Sequence, residues 1–231
     1  MALRYRSIAI RQFSFAAPGP RTGRDEMSVL CCRAITCTVL AALTESMLAG
    51  CTLQSPVRVE VQKEVLSRMP GGLPREQTRP VTLLVLPVES APIYDTTRIA
   101  YTTRLYEVGY FSEHEWAEKP ARMLQTLLVR ALLSTHAFSA IQTAPYVGSY
   151  TYALRLRILE LMQDFTVRVA MLSLSLHVQL SDDKDRVIVS REISLREPMH
   201  QQSPYAGVLA ANEAAAKALQ EIVGLLLENA R

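Results

Sequence analysis

Cysteine is scarce in this chain, and its placement excludes a disulfide framework. Only four cysteines occur in 231 residues, and three of them lie before residue 38. From residue 51 onward Cys51 is the only cysteine, so this part of the chain cannot form an internal disulfide. We therefore expect the Cys51 thiol to have a use other than cross-linking.

An excess of positive charge is also missing after residue 50. The whole chain carries 25 basic and 22 acidic side chains. The segment from Cys51 onward holds 19 of each, because six arginines and three acids precede it. A neutral segment offers no electrostatic footprint for a phosphate backbone, so we expect no nucleic-acid partner.

Patterns of catalytic and metal-binding residues are missing as well. His114 has no second histidine four residues away, which the helical zinc motif requires. Asp182 to Asp185 resembles the start of a calcium loop, but the glycine and the distant glutamate of an EF-hand are absent. No serine lies in a nucleophile elbow, and no glycine-rich loop could cradle a phosphate. The sequence therefore predicts a protein that is not an enzyme and that holds no metal and no dissociable cofactor.

The apolar run at residues 34–50 is too short and too polar for a comfortable membrane span. It has about 17 residues and includes Glu45 and several threonines. Arg33 precedes it, and Leu48-Ala49-Gly50-Cys51 closes it. A basic start, an apolar middle and small residues before a cleavage point are typical of a secretory signal peptide.

Leu48-Ala49-Gly50-Cys51 resembles the bacterial lipobox, in which the cysteine is acylated and becomes the N-terminus after cleavage. We therefore expect residues 1–50 to be a signal peptide, with residues 1–26 upstream of the true start. The alternative is a short buried helix that ends at Gly50, with Cys51 as an ordinary core thiol.

The lipobox resemblance implies an acyl or diacylglyceryl group on Cys51 and a place in the envelope. One acyl chain binds a membrane only marginally, whereas the several chains of such lipoproteins anchor it firmly. Thr52 follows the cysteine, where aspartate would favour retention at the inner membrane. The resemblance therefore implies an outer-membrane anchor with the protein body facing the periplasm.

Prolines and glycines recur between Thr52 and Pro80 and divide the remaining chain in two. Such residues break regular structure, and alternating valines allow only a short edge strand near Val59. The segment 51–80 is therefore predicted to be the lipidated N-terminus with a tether of about 29 residues. Residues 81–231 are predicted to be the folded domain.

Periodicity in residues 81–231 predicts a domain that contains both strands and helices. Alternation and short apolar runs predict strands, the last three forming an antiparallel meander with one polar face and a bulge near Ala170. Pro120 suits the first turn of a helix that ends near Thr135, and Ser203-Pro204 begins a final helix. The predicted strands are 81–87, 98–104, 106–111, 138–142, 152–165, 166–180 and 187–195.

Aromatic residues are concentrated in one stretch. Six of them, including the single tryptophan, fall within residues 94–116. Aromatic clusters bury area at low entropic cost and are frequent at interfaces, so we predict a partner-binding role for four of them. The alternative is a locally aromatic core. The four candidates are Tyr101, Tyr110, Phe111 and Trp116.

The same stretch carries a family resemblance. Tyr94 to Tyr101, Tyr110-Phe111 and Trp116 to Leu124 follow the pattern D-x-x-R-I-x-Y … W-A-E-x-P-A-R-M-L. This pattern is similar to that of the ABC-type transport auxiliary lipoproteins, the PqiC-like family. The predicted strands and final helix agree in order with that family, so the resemblance covers most of residues 81–228.

The resemblance implies a fold and a role. The fold would be an α/β (α+β) domain similar to the N-terminal domain of TolB, with an antiparallel or mixed sheet and two main helices packed on one side. The role would be to dock the MCE-domain protein of an ABC transporter for phospholipid or another hydrophobic molecule at the outer membrane, as a homo-oligomeric ring. The alternatives are a periplasmic lipid-carrying lipoprotein and a structural lipoprotein that maintains envelope integrity.

Overall fold

The structure, a computed structural model, describes residues 60–146 and 148–230. The expectations for the signal peptide, for Cys51 and for residues 52–59 lie outside this part of the chain. Twelve elements follow one another along it. The strands are β1 Gln62–Glu64, β2 Arg79–Val85, β3 Glu89–Ser90, β4 Arg98–Thr102, β5 Gly109–Trp116, β6 Phe138–Thr143, β7 Tyr152–Asp164, β8 Met171–Asp182 and β9 Val187–Pro198; the helices are α1 Pro120–Thr135 and α2 Pro204–Asn229, with a 3-10 turn at Pro92–Tyr94.

The strands β7, β8 and β9 form the predicted antiparallel meander. Every second residue of β8 is an apolar side chain that lies in the core, whereas serine, histidine and glutamine between them are half-buried on the other face. This pattern follows from the two-residue period of a strand. The buried residues of β8 are Leu172, Leu174, Leu176, Val178 and Leu180.

The prediction of a bulge near Ala170 is wrong. Residues 166–169 are bends in the loop between β7 and β8. Val167 and Val169 therefore belong to no strand, and no bulge is needed to explain why they fall outside the alternating pattern of β8. The register shift lies instead inside β7, between Ile158 and Glu160.

The second edge of β7 carries three shorter strands in succession. Its start pairs with β2, its middle with β3 and its end with β4, all in parallel. The other edge of β2 pairs with β6 in parallel. The other edge of β4 pairs with β5, which is antiparallel to it, and β5 pairs in turn with β1 in parallel. The sheet is therefore mixed, and with its two helices the domain is α+β as predicted.

The two helices begin and end close to the predicted residues. Helix α1 starts at Pro120 and ends before His136, whose φ of 57° is the left-handed conformation common at helix C-termini. Helix α2 is capped by Ser203, whose hydroxyl accepts a hydrogen bond from the Ala206 N–H at 3.2 Å. Helix α2 packs on β8 and β9, and α1 packs on α2 and β6.

Residues 62–80 are not the flexible coil expected of a tether. Strand β1 pairs with β5, and Leu66 lies in the core at 7% exposure. The backbone N–H groups of Ser67 and Arg68 donate to Asn212 Oδ1 in α2 at 2.9 and 3.1 Å. Prolines and glycines here shape an ordered coil against the domain, since its backbone donors find partners on α2.

A close contact between α2 and β7 depends on a glycine. The Gln163 side chain is fully buried and donates through Nε2 to the Pro204 carbonyl at 2.9 Å. A Cβ added at Gly207 would overlap the Gln163 amide group. Glycine is therefore the residue that fits at position 207, because the Gln163 amide group occupies the space that a Cβ would need.

We predict that Gly207→Ala destabilises the domain by about 1–3 kcal/mol, the usual cost of overfilling a core. Gly224→Ala in the same helix is the matched control, because its added Cβ would meet no atom within 4 Å apart from its chain neighbours and the backbone of its own helix. This control should gain about 0.5–1 kcal/mol from the higher helix propensity of alanine. Chemical denaturation measures both variants. In a Gln163→Ala background the Gly207→Ala penalty should largely vanish, and its persistence would contradict the contact.

Candidate interaction surface

The described residues contain neither a cluster of metal-ligating side chains nor a helix that could span a membrane. Over residues 60–146 and 148–230, no three histidine, cysteine or acidic side chains converge as metal ligands. None of the helices in this part of the chain is both long and apolar enough to cross a bilayer. The candidate sites in this part of the chain are surfaces at which another molecule could bind.

Trp116 belongs to the core rather than to a surface. It ends β5 with an exposure of 2%, and its backbone N–H donates to the Thr97 carbonyl at 2.7 Å. A side chain so buried offers no area to a partner. The predicted partner-binding role of Trp116 is therefore wrong, and the residue packs in the core instead.

Tyr110 is half-buried, and both its hydroxyl and its ring make contacts within the domain. Its hydroxyl donates to the Ile93 carbonyl at 2.9 Å. The Arg98 guanidinium lies 4.1 Å from the ring centre, a cation–π geometry. These contacts tie the 3-10 turn to the hairpin of β4 and β5, and they leave only part of the ring for a partner.

Tyr101 and Phe111 meet on the surface, and they stack on each other. Their ring centres are 4.4 Å apart with an angle of 26° between the planes. Phe165, at the end of β7, meets both rings edge-on at 6.3 and 6.4 Å. We call these three half-buried residues the aromatic cluster. Stacked and edge-on pairs each add about 0.5–1.5 kcal/mol beyond their buried area.

Gly109 and a bulge in β5 create the space for this stacking. Gly109 is the register partner of Tyr101, and a Cβ there would lie 2.7 Å from the tyrosine ring. Between Tyr110 and Glu115 the pairing skips four residues of β5, which includes Phe111. The ring of Tyr101 therefore covers the glycine, and the bulge brings Phe111 over that ring.

A groove of about 560 Å³ lies between the segment 63–68 and the first half of α2. Its apolar lining includes Val65, Tyr205 and Leu209, which are each at least half exposed. Glu64 also lines it and contacts His114 Nδ1 at 3.1 Å, and the His114 ring meets Phe111 edge-on. The groove is therefore linked through His114 to the aromatic cluster.

Two groups near the cluster have shifted pKa values. Burial, together with Glu160 and Tyr110, raises the pKa of Tyr94 to about 12. Burial also raises the pKa of Glu160, an effect that Arg196 opposes. Both shifts favour the uncharged forms of these side chains, as expected for groups that are partly buried.

Charge pairs lie along the outer strand β1. Lys63 donates to Glu115, and this hydrogen bond lowers the pKa of the Glu115 carboxyl. Arg68 pairs with Glu213 of α2 at 2.8 Å on the rim of the groove. These exposed pairs set the polar rim around the apolar lining and add little stability.

Part of this surface could not be predicted from the sequence. Phe165 joins the cluster only because β7 ends beside β4, and this pairing of distant segments leaves no local signal. Tyr205 and Leu209, by contrast, carry a local signal in the sequence. Residues four apart share a helix face, and these two lie outside the buried stripe of α2. Such a pair indicates an exposed apolar patch on a helix whose opposite face is buried.

The described part of the chain thus presents an α+β domain with an aromatic cluster and an apolar groove, features of a protein that contacts others through its surface. A family model described as the ABC-type transport auxiliary lipoprotein component matches residues 65–223. The chain belongs to this family. It is therefore an auxiliary lipoprotein component of an ABC-type transport system, with a lipid anchor and transporter partners, and its family is not one of enzymes.

Solved structures agree on the fold. The protein XCC0632 from Xanthomonas campestris, of the DUF330 family, superposes with a TM-score of 0.64 at 21% identity, covering 74% of this chain and 96% of that chain. A second, uncharacterized protein superposes with a TM-score of 0.56 at 14% identity, covering 71% and 99%. No curated protein matches the chain. Identities this low establish a shared fold and nothing further.

We predict that Trp116→Ala destabilises the domain by about 3–5 kcal/mol, because it empties a large core site. The melting temperature and the denaturation midpoint measure this effect. Tyr106→Ala is the control, because Tyr106 is fully exposed and its removal should leave both values unchanged. An unchanged midpoint in Trp116→Ala would contradict the core assignment.

Proposed function

We propose that this protein is the outer-membrane lipoprotein subunit of an MCE-type ABC transport system and docks the periplasm-spanning MCE protein. The match of the transport auxiliary family model to residues 65–223 carries the proposal. The cargo would be phospholipid or another hydrophobic molecule. In this proposal residues 1–50 are removed, Cys51 carries the acyl groups, and the folded domain faces the periplasm. The TolB likeness stays a prediction.

The aromatic cluster supports a docking role. Tyr101 and Phe111 are half-buried, so each keeps area that a partner could cover. Their mutual stacking holds both rings in place before a partner arrives. Less conformational entropy is then lost on binding, and aromatic anchors of this kind are frequent hot spots.

Open sheet edges support assembly into a ring. In the described part of the chain, β6 pairs only with β2, and β9 pairs only with β8. An unpaired edge presents a row of backbone donors and acceptors that another copy can complete. Closed head-to-tail assembly would satisfy these edges in every copy, as a ring requires.

Co-purification with an MCE protein tests the docking role. We expect Phe111→Ala to reduce capture of the MCE protein from detergent-solubilised membranes while the domain stays folded. Leu133→Ala is the matched control, since Leu133 is a half-exposed apolar residue on α1. Loss of one aromatic anchor should weaken binding by about 2 kcal/mol or more, roughly 30-fold. If neither the unmodified protein nor Leu133→Ala captures an MCE protein, the docking proposal is wrong.

Replacement of the proposed acylation site tests the anchor. We expect Cys51→Ala to leave the domain folded but to release it from the membrane, because no acyl chain can be attached. Membrane fractionation and mass spectrometry of the N-terminal peptide measure this. A Cys51→Ala variant that stays in the membrane fraction would refute acylation as the anchor.

The groove beside α2 favours a second candidate function, that of a lipid carrier. Its volume and apolar lining fall in the range of small-molecule sites. Mass spectrometry of lipids extracted from the delipidated and reloaded protein separates the two roles. A carrier would retain a stoichiometric lipid, whereas a docking subunit would not.

A further inference from the structure

Large apolar side chains are exposed on the hairpin loop between β4 and β5. Leu105 is 78% exposed and Tyr106 is fully exposed, with Val108 partly exposed beside them. Such side chains usually pack against something, and neighbouring apolar residues on a loop indicate a binding surface. Within the described residues nothing covers them.

A second hairpin loop, between β7 and β8, exposes apolar side chains in the same way. Val167 and Val169 are 39% and 56% exposed. Arg168 lies between them, and Arg104 precedes Leu105, so each loop also carries an exposed cation. We call Leu105, Tyr106, Val108, Val167 and Val169 the tip surface.

Both loops leave the sheet at the same end. Strands β4 and β7 are parallel, and their last residues, Thr102 and Asp164, are register partners. The Phe165 N–H donates to the Thr102 carbonyl at 2.9 Å, directly before the second loop. The tip surface is therefore one end of the domain and not two separate patches.

The first loop is held in shape by two hydrogen bonds to one of its own carbonyl groups. The Thr102 hydroxyl donates to the Arg104 carbonyl at 2.6 Å, and the Glu107 N–H reaches the same oxygen at 3.3 Å. Tyr106 has a φ of 67°, a left-handed conformation that is unfavourable for a tyrosine. The Tyr106 side chain is fully exposed among the described residues, so its whole surface is open to another molecule.

Strand β1 runs in the direction that leads away from this tip. Strand β5 begins beside the first loop, and β1 runs parallel to it with Gln62 opposite His114. Gln62, the first residue of β1, therefore lies nearer to the tip than Glu64, the last residue of that strand. Ten residues separate Cys51 from Gln62, and ten residues span at most about 35 Å. Strand β4, with five residues, is only about 17 Å long.

We infer that the tip surface contacts the lipid leaflet that holds the acylated Cys51, so that the domain stands with its tip on the membrane. The inference rests on the proposed acylation of Cys51. Leu105 and the valines enter the acyl boundary, Tyr106 lies at the headgroups, and Arg104 and Arg168 meet lipid phosphates. Strand β7, with 13 residues, then extends about 40 Å away from the bilayer.

This orientation has a consequence for docking. The aromatic cluster lies one to two residues from the tip loops, because Tyr101 and Phe165 flank the Thr102 pairing. It therefore sits just above the lipid headgroups. A partner bound there would end at the membrane surface, where a lipid conduit has to deliver or collect its cargo.

Tryptophan fluorescence in vesicles tests the contact. The mature lipoprotein carrying Tyr106→Trp is purified from membranes and reconstituted into phosphatidylethanolamine–phosphatidylglycerol vesicles with brominated acyl chains. We expect a loss of emission and a blue shift relative to non-brominated vesicles, since bromine quenches only nearby indoles. The native Trp116 is buried and contributes the same background to every variant.

Tyr146→Trp is the matched control. Tyr146 is 42% exposed and precedes β7, at the other end of that strand. Its emission should be the same in both vesicle types. Leu105→Asp added to Tyr106→Trp should reduce the quenching, because a carboxylate opposes insertion.

The outcomes separate this inference from the proposed function. An acylated protein whose Tyr106→Trp indole stays unquenched overturns the tip contact and leaves the anchor intact. That result would assign the tip to a protein, either the MCE partner or a second copy. Mass spectrometry of the same preparation reports acylation, and its absence would overturn the anchor and the tip contact together.

Discussion

The pairing of β7 on both of its edges is the constraint on which the rest of the structure depends. One edge carries β8 along its whole length, and the other carries β2, β3 and β4 in succession. The branches to β6 and to β5 and β1 start from these short strands. Because backbone groups of a central strand must all be paired, a break in β7 would separate both branches from the meander.

The same arrangement places the candidate interaction surfaces at one end of the domain. Parallel strands end at a common edge, so the loops after β4 and β7 adjoin and bring Phe165 to Tyr101. Antiparallel pairing of β9 with β8 returns the chain to that end, where α2 begins and its exposed Tyr205 lines the groove. The cluster, the groove and the tip surface are therefore neighbours through topology and not through sequence.

Local patterns predicted the elements well where the side chains of one face are buried. The boundaries of α1 follow from Pro120 and from the apolar stripe behind it, and β8 follows from its alternating leucines. Prediction failed where tertiary contacts override local signals. Prolines and glycines indicated a coil through residue 80, yet Leu66 is buried and Asn212 binds the backbone beside it. The exposure of an aromatic residue could not be predicted either, since Trp116 and Phe111 are both aromatic residues of the same strand and no local pattern distinguishes them.

The sequence by itself determined the lipobox pattern, the balance of 19 basic and 19 acidic side chains from Cys51 onward, and the family motif, because each is a matter of which residues the chain contains and in what order. Only the tertiary structure decided which aromatic side chains are buried and which are available. Burial depends on what the fold places opposite a residue. For Tyr101 that is Gly109 and Phe111, while for Trp116 it is the core.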